Sequence, residues 1–307
     1  MKNIDYVKNR MKYLIIPIVV IVAGIIMFVV KGGFNFDIEF MGGVRMQVDM
    51  ENESNTDVDR IKTVIKDGTG VDAIVQRSGT GTHVLIKTPH IEDDVKDKVF
   101  TSLKEEFSLN ADEAMSVATA TPNFGRQVQQ KTLLYTIIAI ILILIYIAFR
   151  FEWSSAVMAV VSLVINILIM FSVYAITYLP LNTTFIAAML TVVGYSINNT
   201  IVVFDRIRED MKTARSKSVA EIVNSSIAAT MGRTINTTVT TLITIVLLYI
   251  IGVASIKEFA LPLIVGVFAG AYSSIFIAGT FWAIWKEKQR ALKREKAGKG
   301  GKGKKRN

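Results

Sequence analysis

The sequence predicts a polytopic α-helical membrane protein with six transmembrane helices and a small α+β extracytoplasmic domain between the first two. Three observations carry this expectation. The chain of 307 residues is 51% hydrophobic, with a mean hydropathy of +0.42, too apolar for an ordinary soluble domain of this length. Six apolar stretches approach the roughly 20 residues needed to cross a hydrocarbon core. They are 13–30, 132–149, 155–178, 184–204, 235–252 and 260–285. The one long polar segment, 31–131, switches between strand and helix periodicity in an order that suits a single compact domain.

Taken in order, residues 1–12 form a short N-terminal flank bearing Lys8, Arg10 and Lys12 ahead of the first span. That arrangement resembles a signal peptide. The following "KGGFNFDIEF" has no small-residue cleavage site, so 13–30 is expected to be an uncleaved anchor. Within 31–131, "VRMQVDM" (44–50) alternates as a strand does. Thr56 to Lys66 reads as a helix, with "TDVD" as a capping box in which Asp replaces Glu. "DAIVQRS" and "THVLIKT" flank "GTG" and read as a hairpin. A phosphate loop at "GTG" would need a preceding strand, a following helix and a lysine. Ile91 to Phe107 is helical, and "AMSVATA" is the last strand. The resulting βαββαβ order is the ferredoxin-like pattern, with both helices on one face of a sheet. Pro122 and Gly125 in "ATATPNFGRQV" (118–128) are expected to break structure before the second span, as a hinge or as a fixed re-entry turn.

Orientation follows from lysine and arginine in the short flanks. One set holds four in the N-terminus, Arg150 in the next turn, six in the 205–234 loop and eleven in the 286–307 tail. The opposite set, 179–183 and 253–259, holds only Lys257. Both termini are therefore expected in the cytoplasm. The outside segment, net −5 from twelve Lys/Arg and seventeen Asp/Glu, translocates regardless of its charge. The tail, with two glutamates against eleven cations, suits anionic lipids at the cytoplasmic leaflet, or else is a disordered solubilising end. No aromatic residues are interleaved in it, which argues against a specific nucleic-acid partner.

Composition also excludes chemistry. Cysteine is absent, so a disulfide framework or thiolate metal site is not available. The only histidines, His83 and His90, are expected to be exposed loop residues. No motif supports an enzyme, a metal site or a cofactor.

The membrane spans carry a different signal. In "GRTINTTVTTLIT" (232–244), Arg233, Asn236, Thr237, Thr240, Thr241 and Thr244 share one helix face, while Ile235, Val239, Leu242 and Ile243 occupy the other. In lipid such a face turns toward other helices or a water-filled path. The fourth span supplies an expected partner face in Tyr195, Asn198, Asn199, Val202 and Asp205. The third offers Ser162 and Asn166, one turn apart. In the last, Gly266, Gly270, Ser273 and Ser274 form a small-residue face that permits close approach. The same residues serve equally as helix glue, and Arg233 either functions there or snorkels as an anchor. No Asp or Glu lies inside the six spans; Asp205, Glu152 and Glu258 sit at their edges. An amide does not titrate, so this chain by itself is poorly equipped to carry protons.

"GYSINNTIVVFDRIRE" with "GRTINTTVTTLIT" closely resembles the fourth and fifth spans of the SecF branch of the SecD/SecF protein-export family, within the resistance-nodulation-division superfamily. "FDIEFMGG" (36–43) and the Pro122/Gly125 turn add to the resemblance, which covers nearly the whole chain except the tail. It implies an auxiliary subunit of the bacterial Sec translocase in the cell membrane. Such a subunit pairs with SecD and associates with the SecYEG channel and often with YajC. It uses an ion gradient to draw out chains that the ATPase SecA has pushed in. The resemblance also implies that Asp37, Gly42, Gly43, Pro122 and Gly125 anchor the outside domain, and that the fourth and fifth spans face SecD. This chain departs at one position: the family usually has Asp where Asn199 stands. There the Asp and an Arg matching Arg233 form part of the proton path, so titration is expected to rest on SecD. Other readings are half of a small-molecule or lipid exporter of the superfamily, or a structural stabiliser of SecD. Met1 and the short N-terminal flank are what a free-standing subunit is expected to show.

Overall fold

The computed structural model describes residues 4–77, 81–110, 116–120, 122–150, 152–213 and 217–303. The end of the basic tail and most of the "GTG" turn therefore lie outside the described residues. Six helical segments are long and apolar enough to cross a membrane, and the chain is a multi-pass helical membrane protein.

Helix α1 (Arg10–Val30) is followed by a single turn, α2 (Ile38–Met41), which periodicity did not anticipate. Asp37 caps that turn by accepting from the Ile38 amide. The α+β domain then runs β1 (Gly43–Asp49), α3 (Val58–Thr69), β2 (Ile74–Arg77), β3 (His83–Thr88), α4 (Asp93–Phe107) and β4 (Ser116–Ala120). Its strands are all antiparallel in the order β2-β3-β1-β4. Alternation sends Val44, Met46 and Val48 of β1 and Val84 and Ile86 of β3 to one face. There they pack with Ile61 and Ile65 of α3 and Val99 and Leu103 of α4. Spacing of four residues places each helical pair on one stripe.

Local differences from expectation have local causes. The α3 cap is Asp57, the extended residue immediately before the helix, whose carboxylate accepts from the Asp59 and Arg60 amides. Thr56 instead donates to the Glu53 carbonyl. His83 lies in β3 with Nδ1 3.6 Å from Asp49, so it is not a loop residue; His90 is exposed outside the strands.

Helix α5 (Pro122–Arg150) begins at the proline rather than after it. Proline suits the first helical position, where its missing N–H has no intrahelical partner anyway, so Pro122 and Gly125 do not break structure. The Pro122 side chain lies outside the described ones. The remaining helices are α6 (Trp153–Thr177), α7 (Thr183–Thr213), α8 (Val219–Ile251), α9 (Ala254–Ser273) and α10 (Gly279–Gly303). The 205–234 loop of the sequence reading is helical over most of its length. α7 and α8 run on past their apolar windows as amphipathic turns that bury Ile207, Ile222, Val223 and Ile227. α9 passes into α10 through a π-helical turn, Ser274–Ala278.

The bundle is centred on α9 against α6 and α7. Phe185, Met189 and Val192 of α7 pack with Met170 and Tyr174 of α6 and Leu263 and Val267 of α9. Small residues set the approach. A Cβ on Gly266 would press into the Val192 methyls, the second at 2.7 Å, and lie 2.9 Å from the Met170 sulfur.

Candidate polar seam and interdomain junction

Three helices meet in a buried polar layer. Asn166 of α6, 1% exposed, donates from Nδ2 to Ser196 Oγ of α7 at 2.6 Å and accepts from Ser273 Oγ of α9 at 2.7 Å. One turn along α7, the Thr200 and Ser274 hydroxyls share a hydrogen bond of 2.8 Å. Gly270 makes room, since a Cβ there would meet Ser196 Cβ at 3.1 Å. Ser162 and Asn199 are buried at the edge of this layer, and Ser162 Oγ and Asn199 Nδ2 have no hydrogen-bond partner among the described residues. Sequence patterning marked Asn166, Ser273 and Ser274 separately; only packing joins them to Ser196.

The sequence-expected seam is arranged differently. Asn198 is exposed and lines a groove of about 450 Å³ with Leu142, Tyr146 and Ile201, while its neighbour Asn199 is buried. Arg233, Asn236, Thr237, Thr240 and Thr244 are exposed and Thr241 is half-buried. The stripe therefore does not face the α7 amides within this chain. The rotation of α8 instead buries Thr234, Thr238 and Ile245, and Tyr195 of α7 donates to Thr238 Oγ1 at 3.4 Å. The hydroxyls of Thr237, Thr240, Thr241 and Thr244 turn back to carbonyls four residues earlier. That satisfies their donors inside a membrane helix but leaves the stripe open as a surface. Ile235, Val239 and Ile243 are also exposed, an apolar strip beside the polar one. Asp205 is half-buried and borders a cavity of about 460 Å³ with Arg208, Trp282 and the Glu152–Lys286 ion pair.

The segment singled out as an anchor forms a compact junction. Gly42 adopts φ +80°, the left-handed region that favours glycine. A Cβ on Gly43 would strike the Thr88 carbonyl, and one on Gly125 would lie 2.7 Å from the Phe40 carbonyl oxygen and 2.9 Å from the Gly42 nitrogen. Gly125 thus lets α5 lie directly on the backbone of α2, where Gln129 Nε2 also donates to the Phe40 carbonyl at 2.9 Å. Asp37, 2% exposed, accepts from Arg45 at 3.1 Å and pairs with Lys87 Nζ at 3.1 Å. Its amide donates to the Leu181 carbonyl. Glu39 accepts from the Thr183 amide and hydroxyl at 3.0 and 2.6 Å. Lys87, itself 2% exposed, lies 3.6 Å from Glu258 Oε1. Removing one partner of such a buried pair costs about 3–5 kcal/mol, because the other charge is left in low dielectric. Sequence reading found Asp37 but missed Lys87 and Glu258. An isolated lysine in a strand carries no local sign that it will be covered.

An α+β domain clamped to a bundle of six candidate membrane spans, with polar groups on three facing helices and an open polar stripe, defines a multi-pass helical membrane protein. Residues 99–288 match the family described as protein export membrane protein SecD/SecF, C-terminal. The SecF protein translocase subunit of Acidaminococcus fermentans is 32% identical over 94% of this chain and 99% of its own length. The SecDF subunit of Bacillus subtilis is 36% identical over 95% of this chain but 39% of its own. The crystal structure of SecDF from Thermus thermophilus, a translocon-associated membrane protein, superposes with a TM-score of 0.80 at 30% identity, covering 92% of this chain and 38% of that one. The chain spans about two fifths of the SecDF relatives' length. It belongs to the SecD/SecF family.

Proposed function

We propose that this chain is the SecF-type auxiliary subunit of a bacterial Sec translocase, which works with SecD in late, ion-gradient-driven translocation and release of exported proteins. The observation that carries the reading is the α8 stripe. Arg233, Asn236, Thr237, Thr240 and Thr244 are exposed on a helix apolar enough to cross a membrane. Polar groups at membrane depth face protein or water rather than lipid. A second membrane subunit seated on that face satisfies the requirement. SecD is the natural candidate, because the SecDF relatives carry this region as part of a chain more than twice as long. In this reading SecYEG and YajC are neighbours, SecA supplies the incoming chain, and the chain is not an enzyme.

The antiparallel β2-β3-β1-β4 order with both helices on one face supports a ferredoxin-like domain. The charge of the flanks supports a domain outside and both termini in the cytoplasm, with the tail on anionic lipid. In this reading Asn199 leaves titration to SecD, and its Nδ2, buried without a hydrogen-bond partner among the described residues, belongs to the interior of the bundle rather than to the partner-facing stripe. An Asn199→Ala variant is expected to slow export and Asn199→Asp to be tolerated; wild-type export with the alanine removes Asn199 from the mechanism. The structural-stabiliser reading retains one specific support, the absence of an intramembrane carboxylate. SecD levels in a strain lacking this chain separate the two.

The primary test is a pulse-chase of one secreted protein, following its release from spheroplasts with and without this chain at constant proton gradient. Slow release with intermediates held at the membrane is expected. Unchanged release refutes the export function.

A further inference from the structure

We propose that Lys87 is a positioning residue that pins the α+β domain to the first turns of α9 and to the α6–α7 link, so that the domain and these membrane elements move as one body. Among the described residues, Asp37 and Lys87 are the only buried charged side chains. Strand alternation explains the placement. Val84 and Ile86 of β3 enter the core under α3 and α4, so Leu85 and Lys87 point from the opposite face of the sheet. Lys87 is nevertheless covered, by α2 on one side and by the start of α9 on the other.

The bonds radiating from it reach four separate segments. Through Asp37 it joins the α2 turn, whose Asp37 amide donates to Leu181 O at 2.9 Å while the Leu181 amide donates to Asn35 O at 2.7 Å. These two bonds fasten the chain before α2 to the α6–α7 link. Through Glu258 it joins α9, and Glu258 Oε2 accepts from Asn182 Nδ2 at 2.9 Å. Asn182 Oδ1 in turn accepts from the Phe185 amide at 2.8 Å, capping α7. One ammonium thus lies between two carboxylates that belong to different bodies, α2 at the base of the domain and α9 in the bundle. An ammonium offers three donors on a flexible stem, enough to hold both acids. Neither carboxylate is within ion-pair distance of another cation on the α9 side among the described residues. Among the described residues, Lys87 is therefore the single charged link between the sheet and α9. The consequence for export rests on the function proposed above; the coupling itself does not.

The chain has no cysteine, so spin labels on Asp59→Cys in α3 and Val253→Cys at the start of α9 report the distance between domain and bundle by pulsed electron resonance in the whole protein. Both sites are exposed. A single narrow distance is expected in the parent and in Lys62→Met, a half-buried α3 lysine whose ion-pair partner among the described residues is Asp59. Lys87→Met and Glu258→Gln are expected to lose that narrow distance and give a broad distribution, with amide protection of β1 and β3 unchanged in Glu258→Gln. Glu258 lies outside the domain, so that variant keeps the test sound if Lys87→Met unfolds the sheet. A narrow, unshifted distance in Glu258→Gln overturns the proposal, as does equal broadening in Lys62→Met. Broadened distances with wild-type export would uphold the coupling and show that export does not depend on it.

Discussion

Asn166→Ala tests the buried polar layer most directly. The substitution removes two interhelical hydrogen bonds, to Ser196 at 2.6 Å and from Ser273 at 2.7 Å. Such bonds in membrane bundles contribute about 0.6 kcal/mol on average and up to about 1.7. The stranded groups are not helpless. Ser273 keeps a bond to the Gly270 carbonyl at 3.2 Å, and the Ser196 hydroxyl can turn to its own helix backbone. The hydrogen-bond loss is therefore about 1–3 kcal/mol, and the space vacated by the amide adds to it because the 1%-exposed site cannot fill with lipid. Ser162→Ala is the control. Its Oγ is buried without a partner among the described residues, so removing it relieves a desolvated hydroxyl and is expected to be neutral or slightly stabilising. Reversible unfolding in mixed micelles, followed by the fluorescence of Trp282 of α10, which packs on Ser154 of α6 and Phe204 of α7, gives both numbers. Asn166→Ala within about 0.5 kcal/mol of the parent, the range of an uninvolved substitution, refutes the reasoning. So does Ser162→Ala costing as much as Asn166→Ala.

Gly266→Ala drives a methyl into Val192 and Met170, and overpacking of this kind costs about 1–3 kcal/mol; a thermal melt in detergent measures it. Gly125→Ala meets backbone atoms of Phe40 and Gly42, which cannot swing aside as a side chain would. It should separate α5 from α2, read as faster amide exchange in residues 38–42. In the α+β domain, the Thr82 hydroxyl bond, and then the Glu51 amide, hold the Asp49 carboxyl below its usual range. The stabilisation is full above the ordinary aspartate pKa and is lost as pH falls through the lowered value. Thr82→Val should raise the Asp49 pKa in a carboxyl NMR titration and shift acid destabilisation of the domain to higher pH.

What was legible in the sequence depended on the range of the cause. Runs of apolar residues long enough to cross a bilayer, and the alternation in 44–50 and 83–88, reflect solvation of each segment by itself, and the helices and strands fall where those patterns lie. The small face of Gly266 and Gly270 was readable for the same reason: a missing side chain is a local fact with one dominant use. The end of a helix was less legible. α7 and α8 continue well beyond the apolar windows because Ile207, Val223 and Ile227 share one core cluster, and hydropathy averaging over charged turns hides that amphipathic stripe.

Sequence alone marked six apolar stretches with no acid inside them, a polar face on the fifth and a βαββαβ segment after the first. These are consequences of composition and period. Tertiary structure alone decided which polar residues meet. Rotation of α8 by part of a turn separates the Arg233 to Thr244 stripe from the α7 amides, buries Thr234 and Thr238 in its place, and leaves Asn166 to bind Ser196 and Ser273. It also decided that Lys87, unremarkable in a strand, is enclosed between Asp37 and Glu258. Period tells which residues share a face, but the partner of that face is set by long-range packing, and a charge becomes structural only once packing removes it from water.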